Sequence, residues 1–409
     1  MEPKNISKDV LLGAQMLFVA FGALVLVPLL TGLNPSIALF TAGVGTLIFH
    51  LITKSSVPIF LASSFAFIAP IQVGITQFGV GATLGGLASA SIVYFLLSFL
   101  VKLRGVKIIE KYLPPIVTGP VIMIIGLKLA PVAVGMTKSF DGGALDYSAV
   151  FVALVSLFIT VVVVLKGKGL LQLIPIITGI IAGYIISLLL GKVDFSPVLN
   201  SDWFAIPWVT AINEGSFEFP IFDIAAILFI LPVAIAPAIE HFGDMIAISE
   251  AAGKDYLEKP GLHKTLLGDG VATLFASMVG GPPNTTYSEV TGAVALIKRF
   301  EPKLMIIAAV FAIFLSFFGK LGALLKTIPM PVMGGIMILL FGMIASIGIS
   351  SLVKNKVNMS ESRNLVIVSI ILVFGIGDMV LGYDEFQLAG IGLAGIIGVL
   401  LNILLPKNK

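Results

Sequence analysis

The chain holds 409 residues, 58% of them hydrophobic and only 11% charged, with a mean hydropathy of +1.10. Soluble domains carry about 25% charged residues, so this chain has too little polar surface to face water all round and reads as a polytopic membrane protein. A formal charge of +3 is too small to point to nucleic acid, and the lack of cysteine excludes disulfides, thiolate catalysis and Cys-ligated metal.

The first ten residues, MEPKNISKDV, lack the basic start, short apolar core and small-residue cleavage site of a signal peptide, so the first apolar stretch is expected to remain as a helix. Apolar stretches of about 17 to 25 residues are the spanning unit of a helical membrane protein. About fourteen follow in order, some of them broken, at roughly 10–30, 36–53, 57–71, 81–101, 113–133, 148–165, 169–191, 223–248, 263–280, 283–297, 303–325, 329–352, 363–381 and 387–405. The expected fold class is all-α, polytopic, with about 14 transmembrane segments.

With the N-terminus inside, the odd connections face out and hold Lys138, Lys192, Lys320 and Lys326, while Lys128 lies near the outer end of its helix and is expected to snorkel outward. The other Lys and Arg residues fall in the two termini and in even connections such as KLRGVKIIEK, KGKG, KRFEPK and VKNKVNMSESR. That is the positive-inside pattern, and it puts both termini in the cytoplasm. The long connection from Gly191 to Pro220 faces out, carries Trp203 and Trp208, and reads as a surface loop with an aromatic belt.

The chain also resembles itself. LPPIVTGPVIMIIGLKLA (Leu113 to Ala130) and IPMPVMGGIMILLFGMIA (Ile328 to Ala345) align Pro115, Gly119 and Gly126 with Pro331, Gly335 and Gly342 at a constant offset of 216. Ser63, Ser64 and Phe65 align with Thr285, Thr286 and Tyr287. Seven segments separate the members of each pair, so the halves run through the bilayer in opposite directions, as in an inverted-repeat transporter with its site near the midplane.

Gly280 to Gly292, GGPPNTTYSEVTG, is a polar stretch between apolar ones, tolerable at membrane depth only where protein or an internal cavity surrounds it. Pro282 and Pro283 followed by Thr285, Thr286 and Tyr287 favour extended backbone. Ser288 is expected to cap a half-helix starting at Glu289, with Ser63 to Phe65 doing the same from the other half and the two extended pieces running antiparallel.

Four acids lie in apolar surroundings. Glu240 and Asp244 share one face of the eighth segment, Glu289 opens the tenth, and Asp269 lies inside the ninth. A carboxylate at mid-bilayer costs about 2.5 to 3.5 kcal/mol on the insertion scale, so each calls for a partner or a job. Clustered, they titrate as a coupled set that can load and release a proton. Asp269 reads equally as a brace for its own helix, and His241, on another face, as structural. No HExxH, GxxxxGK[ST] or GxSxG is present, which leaves an intramembrane enzyme without support, and no soluble output domain supports a receptor.

At these residues the chain resembles the nucleobase-cation symporter family that includes the uracil permeases and the nucleobase-ascorbate transporters, nearest the uracil permease branch. SSFAF, LPPIVTG, IEHFGD, KPGLHKTLLGDG, GGPPNTTYSE and IPMPVMGG stand in family order along nearly the whole chain. The resemblance implies two inverted sevens, with segments 3 and 10 broken by short antiparallel β-strands. A core domain would come from 1–104 and 223–325, and a gate domain from 105–222 and 326–409. It further implies that Glu240 binds a base edge through ring N–H groups and that Glu289 does so or supports the site. Amides near Phe65 and Ser288 would hold ring carbonyls, with Tyr287, Phe65, Ser64 and Phe341 around the pocket. The chain departs from the family pattern at Asp244, where a histidine is common, at Ser288, where glycine is usual, at Val290, and at Phe341, where a gating tyrosine is replaced.

The function expected is import of a nucleobase, uracil first, by proton symport with alternating access. Xanthine or urate is the alternative substrate, and an inorganic anion carrier of the same architecture is the alternative class. Glu240, Asp244, Glu289 and Asp269 form the expected proton-coupling set. No cofactor or metal is implied, with H+ as the co-transported ion and Na+ left open. The expected setting is the bacterial inner membrane, with a homodimer implied by the family and no nucleic acid.

Overall fold

A computed structural model describes residues 6–169, 171–383 and 386–406. The first half comprises α1 (Ile6–Thr31), α2 (Pro35–Ile52), β1 (Leu61–Ser63), α3 (Ile68–Ser89), α4 (Ser91–Arg104), α5 (Lys107–Tyr112), α6 (Pro115–Met136), α7 (Tyr147–Lys166) and α8 (Pro175–Leu189). Two short helices, α9 (Ser196–Asn200) and α10 (Pro207–Asn213), lead to α11 (Ile224–Ile230), α12 (Ile235–Ala252), α13 (Leu262–Met278), β2 (Asn284–Thr286) and α14 (Ser288–Ile297). Then come α15 (Pro302–Ser316), α16 (Gly319–Lys326), α17 (Met330–Lys354), α18 (Ser362–Ile376), the hairpin β3 (Val380–Tyr383) and β4 (Phe386–Ala389), and α19 (Gly390–Leu404).

Among the described residues, seven helical stretches are long and apolar enough to cross a membrane, and five shorter apolar helices accompany them. The chain is therefore a multi-pass, mostly helical membrane protein. Several expected boundaries shift for local reasons. The eighth segment is not one helix: Pro232 and Pro237 lack the amides a continuous helix needs, and a 3-10 turn, Leu231–Ala234, separates α11 from α12. Gly79, at φ +81 and ψ 171, marks the reversal between the third and fourth expected segments, and a second break falls at Ala90. The thirteenth segment ends at Ile376 rather than near 381, and a β-hairpin follows it.

Helix packing follows the internal repeat. The two aligned helices, α6 and α17, each open with proline in the first turn, where a missing amide costs nothing, and they pack on one another. Their backbones come so close that a methyl group on Gly126 would sit 2.3 Å from the Phe341 carbonyl oxygen. α17 also lies on α7, and α18 on α6 and α19. Separately, α13 packs on α2 and α4, and α15 on α1 and α2. At one end of that second group, Asp9 accepts from Arg299 at 3.0 Å and from Lys303 at 2.6 Å, which ties α1 to the corner between α14 and α15.

The outer connection is more than a surface loop. Trp208 stands edge-on to Phe40, with centroids 4.9 Å apart, and donates its indole N–H to the Val279 carbonyl at 2.8 Å. Ala205 N–H donates to Phe317 O at 2.9 Å, Gly319 N–H to Trp203 O at 3.1 Å, and Ile221 N–H to Gly81 O at 2.9 Å. The segment from Trp203 to Ile221 is thus strapped across the ends of α13 and α15 and the kink of α3. Trp208 moves from belt residue to brace because its N–H finds a free carbonyl where α13 stops. Lys128 runs to an exposed pair: its ammonium meets Asp378, a carboxylate 60% exposed.

Candidate functional site

The site begins with six residues of sheet. Two prolines before Asn284 keep the chain out of a helix, and β2 pairs antiparallel with β1, placing Leu61 opposite Thr286, Ala62 opposite Thr285 and Ser63 opposite Asn284. The offset of 222 that relates Ser63 to Thr285 puts the pseudo-two-fold between Ala62 and Ser63, at the middle of this ladder.

Each outer edge of the ribbon is met by a threonine from the preceding helix. Thr46 of α2 accepts from Leu61 N–H at 2.9 Å and donates to Leu61 O at 3.2 Å, and Thr273 of α13 donates to Asn284 O at 2.9 Å. Asn284 Nδ2 donates to Thr41 O at 3.0 Å. The ribbon's polar backbone is satisfied inside the protein, which its apolar surroundings require.

Two expectations need correction. Extended backbone ends at Ser64, not Phe65: Ser64 donates its amide to Pro283 O at 2.9 Å and precedes a 3-10 turn, Phe65–Phe67, that runs into α3. Ser64 is wholly buried, and its hydroxyl has no hydrogen-bond partner among the described residues. Ser288 does not cap α14 but is its first residue, with Tyr287 in the flanking extended position. Its hydroxyl is diverted because a carboxylate competes for it: Ser288 Oγ donates to Asp244 Oδ1 at 2.5 Å. The first amides of the turn at Phe65 and of α14 remain without intrahelical acceptors, and both N-termini meet at the ribbon.

The acids divide by partner. Asp244 is buried and doubly bonded, taking Thr286 Oγ1 at 2.6 Å on its second oxygen, so it stitches α12 to the joint between β2 and α14. Asp269 and His241 are both 0% exposed and face each other, with Nδ1 to Oδ2 at 3.1 Å. Glu240, one turn before Asp244, and Glu289, in the first turn of α14, are half-buried. Among the described residues no side chain donates to either, and Glu240 lies within electrostatic reach of Asp244, Glu289 and Asp269. Two half-buried carboxylates that no side chain holds, at the N-terminal ends of two half-helices, can take up a small molecule that offers both N–H and C=O groups.

Aromatic rings stand beside them. Phe65 stacks on Tyr287, with centroids 6.4 Å apart and planes 11° from parallel, and Phe341 meets Phe65 edge-on at 6.5 Å. Tyr287 is fixed by its hydroxyl, which donates to Ser63 O at 2.8 Å. Phe341 reaches this cluster because α17 lies against α6 at Gly126. Two cavities lie elsewhere. One of about 310 Å³ is lined by Asn34, Asp202, Glu214 and Lys326, and one of about 220 Å³ by Gln77, Lys128, Phe229 and Asp378. Neither includes Glu240 or Glu289, so the chemistry of the acids, not cavity size, locates the site. Thr46, Thr273 and Asn284 were not singled out from the sequence: hydroxyls are common in membrane helices, and only the ribbon's position shows which ones it needs.

A multi-pass helical protein with unpaired carboxylates where two half-helices meet is, in class, a membrane transporter and not an enzyme. The "Permease family" model (Xan_ur_permease) matches residues 7–382. The chain is 54% identical over 406 residues to a probable uracil permease of Pasteurella multocida, covering 99% of this chain and 95% of that one. It is 45% identical over 409 residues to a uracil permease of Bacillus caldolyticus, at 98% and 93% coverage, and 37% identical over 395 residues to a uracil permease of Escherichia coli K12, at 96% and 90%. The chain belongs to the xanthine/uracil permease family.

Its fold is shared more widely. The transmembrane domain of the cyanobacterial bicarbonate transporter BicA superposes with a TM-score of 0.61 at 14% identity, covering 98% of each chain. Murine Slc26a9, an anion transporter in the inward-facing state, gives 0.66 at 13% identity, covering 99% of this chain and 69% of that one. At those identities the likeness is one of fold alone.

Proposed function

We propose that this protein is a bacterial inner-membrane secondary transporter that imports uracil together with a proton. The observation that carries the reading is the pair Glu240 and Glu289, held by no side chain where two half-helices start, in a chain whose relatives bear the name uracil permease. Uracil alternates ring N–H donors with C=O acceptors, which suits a carboxylate flanked by amides. Glu240 takes the ring N–H edge and Glu289 assists it. The amides at Phe65 and Ser288 take the carbonyls, and Phe65, Tyr287 and Phe341 wall the ring.

Transport proceeds by alternating access in an inverted repeat of fourteen segments with both termini cytoplasmic. The core comprises 1–104 and 223–325 and the gate 105–222 and 326–409, a division supported by the packing of α13 and α15 on α1, α2 and α4 and of α17 and α18 on α6 and α7. The carboxylates weigh against an inorganic anion as cargo despite the shared fold, because they repel it.

The test is uptake into proteoliposomes under imposed pH and sodium gradients, with uracil, xanthine and urate compared. The expected result is uracil accumulation driven by the pH gradient and reduced at least about tenfold in Glu240→Gln. Accumulation indifferent to the pH gradient would remove the coupling, undiminished uptake by Glu240→Gln would remove the site, and stronger competition by xanthine or urate would move the substrate to a purine.

A further inference from the structure

His241 lies in a buried chain that none of these roles uses. Its Nε2 is 3.0 Å from Thr265 Oγ1, and Thr265 Oγ1 also lies 3.0 Å from the Leu262 carbonyl oxygen. Its Nδ1 faces Asp269 Oδ2 at 3.1 Å, and the Asp269 oxygens meet no other donor among the described residues. Bare Nδ1 against a bare carboxylate would set two acceptors face to face in a fully buried place, so one proton stays between His241 and Asp269.

The other nitrogen has a choice, because a hydroxyl carries one hydrogen and can also accept. When Nε2 is bare, the Thr265 hydroxyl donates to it. When Nε2 holds a proton, it donates to Thr265 Oγ1, and the hydroxyl turns to the Leu262 carbonyl oxygen. Both states leave every group at this end of the ring satisfied. The loaded state pairs an imidazolium with a carboxylate and is neutral overall. The unloaded state carries one net negative charge.

We infer that His241, set between Asp269 and the rotating hydroxyl of Thr265, is a proton-binding site of the transport cycle. This rests on the proton-coupled reading above and assigns part of it to a residue behind the substrate carboxylates. A proton arriving from water bonds to the Nε2 lone pair and leaves from the same atom, with no other bond made or broken.

The groups facing the pair are few. Glu240 is the next residue and Asp244 lies further along α12, with Glu289 of α14 in reach of Glu240. Tyr94 of α4 has a buried hydroxyl without a partner, in electrostatic reach of Asp269 and Glu240. From α2 come the Phe49 ring, 6.4 Å from the imidazole, and His50, whose Nε2 is taken by Ile59 O at 3.1 Å. A charge change at His241 is therefore felt by Glu240, which makes occupation of the two sites interdependent.

The experiment uses full-length protein in proteoliposomes with a trapped pH dye. It measures uracil-driven proton entry, gradient-free exchange of labelled uracil, and the pH dependence of uptake. His241→Gln is expected to keep exchanging uracil while proton entry per uracil falls at least about tenfold. Thr265→Val, of nearly the same shape, is expected to move the pH of half-maximal uptake downward, since the protonated ring loses the stronger, charge-assisted hydrogen bond. Native proton entry per uracil in His241→Gln would overturn the proposal. Should that variant fail to insert, an unmoved pH midpoint in Thr265→Val overturns it instead. Native protein that accumulates uracil with no proton entry would overturn the proton-coupled reading itself, an outcome visible before any variant is made.

Discussion

Asp244 shows how a residue's setting decides its work. Read as one of four acids, it belonged with the proton-coupling set, because a carboxylate in an apolar run stands out whatever it does. Its partners, Thr286 and Ser288, are more than forty positions away in the sequence and were read as parts of an extended piece and a cap. With two charge-assisted hydrogen bonds, each worth about 1.5 to 3 kcal/mol, Asp244 is suited to fastening α12 to the ribbon. Thr286→Val and Ser288→Ala are accordingly expected to be coupled, with a stability change in the double variant that departs from the sum by about 0.5 to 3 kcal/mol. A double-mutant cycle on thermal unfolding in detergent reads this, and strict additivity would mean that the two hydroxyls do not share the carboxylate. Glu240 and Glu289 were legible for the same reason as Asp244. That they are the two left unpaired was not, because pairing is a property of the folded neighbourhood.

Among the elements, the repeat was the most readable feature and the ribbon's edges the least. Pro115 and Pro331 announce two helix starts, and the prolines before Asn284 announce backbone that is not helical, because proline acts locally. The break of the eighth segment at Leu231–Ala234 was carried by Pro232 in the same way, but a continuous apolar run concealed it. The hairpin from β3 to β4 had no such signal: VLGY and FQLA are apolar enough to pass as the ends of helices. Gly126 links this scale to the site. Gly126→Ala would place a methyl 2.3 Å from the Phe341 carbonyl oxygen and push α17 outward. The expected outcome is a several-fold higher KM for uptake, measured beside Gly342→Ala, where a methyl meets nothing within 4 Å. Equal effects at the two positions would show that the α6 and α17 crossing does not set the position of Phe341.

At the scale of the whole molecule, the two packing groups meet where α1 lies against α8. A Cβ on Gly22 would be 3.0 Å from the Ile176 Cβ, close to the 3.5 to 4.5 Å of a disulfide. Because the chain has no cysteine of its own, Gly22→Cys with Ile176→Cys gives a single bridge between proposed core and gate. Oxidation is expected to stop uptake and reduction to restore it, and uptake that persists in fully bridged protein would mean that these groups do not move apart at α1. The outer strap carries a different consequence. The family resemblance would place it on the gate side of the boundary at 222, whereas its hydrogen bonds join Ala205, Trp208 and Ile221 to Phe317, Val279 and Gly81. The proposed core therefore has a handle there. An antibody fragment bound to residues 203–221 would ride with the substrate-carrying half, so its drag or its size alone would slow the cycle without touching the path of the base.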